Sequence, residues 1–465
     1  MRKLLLASAA MLGATAGGDF AQAPAAAPSQ GQYVAPWAAG PSANNNNNSI
    51  GIAGPGADAN PTPGTVVIRL NGRVQTEMGA GWTSNDKTTT AGTRFEVNPI
   101  RFTSYMRLYP GFDGLTTNGL RYGGSVELRE NFGPAAGSPS AYSSTETVFV
   151  RRAFVYMGAN QAGIVRIGQG DGVIGLFNGG VFTTSTWDGG VGNFNGGQSQ
   201  AWGVSSATGI PFVWLAQAGA EYANTKIVYL SPQFFGFDFG VQYAPSMYNG
   251  YTSCAVPAQT CPETITGSDT TRWYNQVAVG ARYQGKFAGL GVKAMLVYET
   301  AAKESSGVPG GAVAPSLAGT VTNFRYDNLS FVNAAAAVDF AGVTVAADYI
   351  GGALNGQLNM RPSGGASMNA VVAGVTYRKG PMIVGAEFAT IDSQGDARLT
   401  GISQRRELEA SFGGTYTVAP GLALVAEYQY EQRHQGNFNF LTSAVGTGTR
   451  DAHAQAISFA TIVTW

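Results

Sequence analysis

Charge is scarce in this chain. Asp, Glu, Lys and Arg make up 12% of its 465 residues, about half of the roughly 25% usual in globular proteins. The 28 basic and 28 acidic side chains balance, which leaves no general attraction to nucleic acid. Histidine is limited to His434 and His453. There is no GxSxG elbow, and no serine that spacing alone sets beside a histidine–carboxylate pair. The enzyme alternative is therefore a lipid-hydrolysing barrel that would have to use those two histidines. Cys254 and Cys261 are the only cysteines, and without nearby histidines they make no zinc site. In a segment rich in Pro, Thr and Ser they read as a small loop-closing disulfide of an oxidising compartment. Long apolar runs are missing as well. No stretch beyond the amino-terminus reaches the roughly 18 to 20 residues that a membrane helix needs. No cofactor and no metal are implied.

The amino-terminus carries an export signal. Arg2 and Lys3 precede the short apolar run Leu4 to Ala16, and two small-residue cleavage candidates follow, Ala14-Thr15-Ala16 and Ala21-Gln22-Ala23. Cleavage falls after Ala16 or Ala23, and Pro24 disfavours the second. Residues 1–23 are thus a signal peptide. Residues 24–64 are a low-complexity stretch of Ala, Pro and Gly with five asparagines at Asn44 to Asn48. Nothing there can bury a core, which predicts a flexible periplasmic extension. An exported chain without a spanning helix is either soluble or a barrel. The bland alternative is a soluble all-β secreted protein.

The pattern of the remaining chain, 65–465, decides between them. Glycine is abundant, at 65 residues, and aromatics are 11%, a composition suited to many turns and strands. At the carboxy-terminus Ile457, Phe459, Val463 and Trp465 share one parity, while Ala456, Ser458, Ala460 and Thr464 share the other. A lipid-facing last strand ending on an aromatic predicts the closing strand of an outer-membrane β-barrel. The first run repeats the alternation, with Ile68, Leu70, Val74, Met78 and Trp82 against Arg69, Asn71, Arg73, Gln75 and Glu77. The second sets Ile100, Phe102, Met106 and Leu108 against Arg101, Thr103, Tyr105 and Arg107. The third sets Tyr122, Val126 and Leu128 against Arg121, Ser125, Glu127 and Arg129. Apolar-out and polar-in reverses the rule of a soluble barrel.

About sixteen strands follow from such runs, many approaching the roughly 9 to 11 residues that cross a bilayer when tilted. They lie near 65–82, 95–109, 120–132, 146–158, 163–169, 224–231, 235–243, 272–285, 289–300, 327–340, 342–351, 368–379, 381–391, 405–418, 421–433 and 453–465. Tight connections alternate with long ones, the asymmetry of short periplasmic turns and long outer loops. Pro110–Gly119 is the exception, too long for a periplasmic turn. A barrel of this strand number is wide enough for a water-filled channel.

Asn224 to Tyr243 (NTKIVYLSPQFFGFDFGVQY) resembles the two-strand hairpin of the general Gram-negative porins. Arg151-Arg152-Ala153-Phe154-Val155-Tyr156 and Gly163 to Gln169 are similar to the strands before that family's third loop. The resemblance spans roughly 65–465. It implies a homotrimer of sixteen-stranded antiparallel up-and-down barrels, each narrowed by an inward-folded long third loop. It also implies passive passage of small hydrophilic solutes and ions, with a substrate-selective channel for sugars or small organic anions as the alternative. The expected partners are outer-membrane lipid and, through Phe459 and the terminal Trp465, the barrel-assembly machinery. Two departures stand out. The amino-terminal extension is long for the family, and the link 170–223 lacks the family's dense acidic cluster, carrying only Asp171, Asp188 and Glu221.

A pore filters by width and by the charge of its lining. Arg69, Arg73, Arg101, Arg107, Arg121 and Arg129 share the water-facing parity, and Arg166 joins them on the fifth strand. A basic wall facing Asp171 and Asp188 predicts a transverse field with mild anion preference. The alternative is that these arginines only brace the wall through Glu77 and Glu127. Phe177, Phe182, Trp187 and Phe194 could stack on sugar rings, or could pin the loop to the wall. Gly170-Asp171-Gly172-Val173-Ile174-Gly175 matches GxGxxG after a strand. A dinucleotide site also needs a helix set against a buried parallel sheet, and the Phe, Asn, Gly and Thr that follow predict a loop.

Overall fold

Sixteen antiparallel strands are hydrogen-bonded edge to edge until the last meets the first. The structure is a computed structural model and describes residues 61–84, 89–90, 93–94, 100–130, 148–181, 224–246, 273–303, 326–355, 360–396, 399, 404–440, 444–446 and 451–465. The strands are β1 (Thr65–Thr83), β2 (Ile100–Leu115), β3 (Arg121–Glu130), β4 (Val148–Ala159), β5 (Gly163–Gln169), β6 (Thr225–Leu230), β7 (Phe237–Ser246) and β8 (Trp273–Phe287). The second half comprises β9 (Leu290–Lys303), β10 (Leu329–Phe340), β11 (Val343–Ala353), β12 (Met368–Lys379), β13 (Met382–Ser393), β14 (Arg405–Ala419), β15 (Leu422–Gln435) and β16 (Asp451–Thr464). One helix, α1 (Val173–Val181), follows β5. Each of the sixteen strands expected from the alternation is present. Residues 1–60, which hold the signal region and most of the extension, and Asp188, Phe182, Trp187, Phe194, Cys254 and Cys261 lie outside the described residues.

Alternation sets which face meets lipid. Ile68 is 84% exposed and Phe102 74%, whereas Arg73 is 2% and Gln75 0% exposed. Closing the sheet removes the open edges that would otherwise leave backbone groups unpaired in hydrocarbon. β1 closes the ring on β16, with Val74 opposite Val463 and Met78 opposite Phe459. Gly72 and Trp465 exchange two backbone hydrogen bonds of 3.1 Å. A Cβ at Gly72 would lie 2.8 Å from indole Cε2 of Trp465, so the glycine leaves room for the terminal ring.

The tight turns use backbone that twists with the strands. Ala288–Gly289 and Ala341–Gly342 have positive φ at both positions, the geometry that suits two-residue hairpins. The long apparent link at Pro110–Gly119 is corrected. β2 runs on through Pro110 to Leu115, and the turn spans Thr116–Leu120, with Thr116 N–H bonded to Leu120 O at 2.9 Å. Pro110 pairs with Leu70 of β1. On the β3 side the ladder skips Tyr109 and Pro110, where the proline has no N–H to donate.

Candidate functional site: the channel lumen

The link after β5 turns into the barrel at once. The loop expected there is instead α1, which packs on β7, β8, β9 and β10. Its seat explains why. The inner faces of these strands and of β11 carry Gly240, Ala278, Met295, Val297, Ala335, Ala337 and Ala346, small or apolar where a wet wall would be polar. Val173, Ile174, Leu176 and Phe177 are buried against that seat. The helix starts where Val173 N–H donates to Gln242 Oε1 at 2.6 Å and Leu176 N–H to Gly172 O at 3.0 Å. Its neighbours are antiparallel strands, so the GxGxxG match has no dinucleotide fold around it.

Phe177 is corrected as a solute contact. The ring is fully buried, with the Arg282 guanidinium 4.8 Å from its centroid, and Arg282 is held by Asp238 at 2.5 and 3.1 Å. It pins the helix to β8. A Cβ at Gly240 would approach Val173 Cγ1 at 3.0 Å and Phe177 Cζ at 3.1 Å. Gly240→Val is therefore expected to unseat α1, destabilising the fold by about 1–3 kcal/mol as overpacking typically does, which thermal unfolding would register.

Six of the seven arginines expected in the lumen have described side chains. Arg69, Arg73, Arg107, Arg121 and Arg166 are buried on the inner face, and Arg129 is nearly so. The Arg101 side chain lies outside the described residues, though its backbone pairs with Gly79. Register aligns three of them, since Arg73 faces Arg107 across β1–β2 and Arg107 faces Arg129 across β2–β3. Such a rung of like charge opposes itself. Two carboxylates brace the wall. Asp113 holds Arg69 at 2.5 Å and Arg121 at 3.7 Å. Glu127 holds Arg129, Arg152 and, at 3.3 Å, Arg151.

Arg151 and Arg152 are the residues that alternation misses, because consecutive strand residues should point to opposite faces. The register of β3 against β4 shifts between Glu127 and Leu128, leaving Arg151 as the extra residue of a bulge. Both arginines then reach the lumen. Arg152 spans from Glu127 to Asp171, which it meets at 2.8 Å. Arg166 donates to the Asp171 carbonyl, and Lys226 donates to the Gly170 carbonyl at 2.7 Å. The first two residues of the link are thereby clamped to β4, β5 and β6. Burial alone would raise the Asp171 carboxyl, but Arg152, Arg151 and Arg166 outweigh it and hold the group below its ordinary range. The clamp is intact at neutral pH and weakens as pH falls through that lowered value.

Asp171 therefore belongs to the basic wall and does not face it from across the lumen, as the sequence suggested. The described carboxylates of the other arc are Glu387 on β13, Glu407 and Glu409 on β14, and Glu427 and Glu431 on β15, all buried on the inner face. Glu409 lies opposite Glu431, and Gln429 donates to both, at 2.5 and 3.2 Å. Glu407 meets Arg433 at 3.2 Å. The same period-two pattern signals them, with Glu407, Glu409 and Ser411 set against Leu408, Ala410 and Phe412. Among the described side chains of β1–β6 and the clamp, nine cations stand against Glu77, Asp113, Glu127 and Asp171. Between the two arcs lie β16, whose inner residues include Ala452, Ala456, Ser458 and Ala460, and the helix-covered side of the barrel.

A closed antiparallel barrel of this strand number, apolar outside and charged within, defines the class of outer-membrane β-barrel channels. The chain belongs to the Gram-negative porin family, whose model matches residues 7–436. It is accordingly an outer-membrane porin, a passive water-filled channel for small hydrophilic solutes, and that family is one of channels rather than of enzymes. Its fold is similar to that of a loop L8 deletion mutant of OmpT, an outer membrane protein of Vibrio cholerae. The two share 12% identity over 86% of this chain and 99% of that one, with a TM-score of 0.50. An anion-selective porin from Comamonas acidovorans is 15% identical over 86% and 100% of the two chains, at a TM-score of 0.47. The outer membrane channel DcaP of Acinetobacter baumannii is 12% identical over 87% and 99%, at 0.49. No curated protein matches the sequence.

Proposed function

We propose that this porin admits small solutes through an eyelet with separated charges and a mild preference for anions. The observation that carries the reading is the excess of cations on β1–β6, where α1 enters the lumen. Arg69, Arg73, Arg107, Arg121, Arg129, Arg151, Arg152, Arg166 and Lys226 form its basic arc, with Arg101 and Asp188 as further candidates. The glutamates of β13–β15 form the opposing arc. Polar solutes align in the field between them, while apolar ones must disturb ordered water. Phe182, Trp187 and Phe194 are the remaining candidate solute contacts.

The working assembly is a homotrimer in outer-membrane lipid. Four outward tyrosines donate to or share a hydrogen bond with a polar side chain on the next strand at the long-loop rim. They are Tyr243–Asn275, Tyr298–Ser330, Tyr349–Asn369 and Tyr428–Gln455, at 2.8 to 3.0 Å. Such amphipathic aromatics suit a lipid headgroup belt. All four lie on β7–β16. The β1–β5 face offers exposed Ile68, Leu70, Phe102, Val155 and Met157, and a second copy of the barrel covers it. A signal peptide over 1–23 is removed on export, 24–64 extends into the periplasm, and Cys254 pairs with Cys261. Phe459 and Trp465 present the assembly signal.

Planar-bilayer recording of the purified protein with graded sugars tests the reading. Stepwise conductance in triplets, insensitive to sugar type, is expected. Block by one sugar or organic acid at low concentration would instead mark a substrate-selective channel.

A further inference from the structure

The link between β15 and β16 does not stand away from the barrel. Beyond Gln435 the chain reverses through Gly436 and Asn437, the latter at φ +55°, and Phe438–Asn439 pairs with Ala444–Val445 as a two-residue ribbon. Gly446 N–H closes the turn on Asn437 O at 2.9 Å. Phe438 and Phe440 are 2% and 0% exposed. Their rings meet edge to face, with centroids 4.9 Å apart. The Arg405 guanidinium lies 5.2 Å from one centroid and 5.4 Å from the other.

Arg405 fixes the direction of the ribbon, because it shares the inner-face parity of Glu407 and Glu409 on β14. Leu399 and Ala452, the latter on the inner face of β16, complete the cluster. The ribbon thus lies inside the mouth over the adjacent strands β14, β15 and β16, above Glu407 and Arg433. The strand end that carries it is tied to its neighbours. Arg405 Nε donates to Gln435 Oε1 at 2.8 Å, and Gln435 Nε2 donates to Gln394 O at 3.0 Å. Gln394 Oε1 accepts from Ala366 N–H at 2.8 Å, and Asn355 exchanges two hydrogen bonds with Gly395 at 2.7 and 2.9 Å. Side-chain bonds therefore knit the links after β11 and β13 to the end of β15, from which the ribbon starts.

We infer that this ribbon, clamped by Arg405 on Phe438 and Phe440, is a size-selecting constriction at the outer mouth of the channel, on the opposite arc from the clamp that holds the start of α1. Cation–π contact holds the two rings without requiring a charge on the ribbon. The ribbon limits solutes before they reach the charged arcs. The inference concerns size, so it stands apart from the anion preference proposed above.

Polymer exclusion measured separately from the two sides of a bilayer tests it. Neutral polyethylene glycols of graded mass are added to the long-loop side or to the short-turn side of the oriented full-length channel. The wild type is expected to show a smaller cut-off from the long-loop side. Phe438→Ser with Phe440→Ser, and separately Arg405→Ala, are expected to raise unitary conductance and to move that cut-off toward larger polymers, leaving the other side unchanged. Arg405→Lys, which keeps the charge but not the planar stacking surface, is expected to fall between. Equal cut-offs from both sides of the wild type would overturn the inference. So would unchanged conductance and cut-off in variants that retain heat-modifiable mobility, the sign of a folded barrel.

Discussion

Arg152→Ala is expected to loosen the link helix from the wall and to lower stability by about 3–5 kcal/mol, the usual cost of stripping one partner from a buried ion pair. Arg152 joins Glu127 of β3 to Asp171 at the start of the link. Its loss leaves Glu127 with Arg129 and Arg151, but deprives Asp171 of its described side-chain partner. The apolar seat still holds α1, and Arg166 and Lys226 still hold the Asp171 and Gly170 carbonyls, so the barrel closes while the Asp171 side chain is freed. Denaturant unfolding should report the destabilisation, and single-channel traces should become noisier. Arg152→Lys can satisfy one carboxylate but not fork between two, and should give an intermediate result. A variant as stable and as quiet as the wild type would show that the clamp does not hold the link.

Arg73→Glu combined with Arg107→Glu is expected to abolish the anion preference and turn the channel toward cations. The two stand directly opposite each other on the rung shared with Arg129. Unit charges about 4 Å apart in water interact by about 1 kcal/mol, so each reversal should alter ion partition roughly fivefold or more. Salt shortens the reach of that field, and the change should shrink as ionic strength rises. Arg73→Gln with Arg107→Gln should lose the preference without reversing it. If selectivity survives both pairs of substitutions, the rung is not part of the filter.

Much of the fold was legible because a membrane barrel imposes one rule on every strand. The alternation of Ile68, Leu70 and Val74 with Arg69, Asn71 and Arg73 is a solvent pattern, and the same pattern returned sixteen strands of the right order. It failed where something other than solvent covered a face. Parts of the inner sides of β7–β10 are apolar because α1 packs there, so neither alternation nor the glycine-rich sequence after Asp171 announced a helix. Pro110 looked like a turn residue, yet a strand can accommodate it where the ladder is skipped. Arg151 escaped because a bulge adds one residue to one strand only, which no single strand's sequence reveals. The glutamates of β13–β15 were within reach of the parity argument. Asp171 was not, since its role depends on Arg152 and Arg166 from two other strands. Phe177 reads as a pin more readily than as a stacking platform, and Arg282 above its ring decides for the pin.

The central claim is that charge in this lumen is separated, with cations dominant where the link helix enters. The reversal potential of single channels in a salt gradient tests it most directly. A small potential of the sign set by anions, shrinking as salt is raised, is the predicted result. Strong cation preference in the wild-type protein would contradict the account.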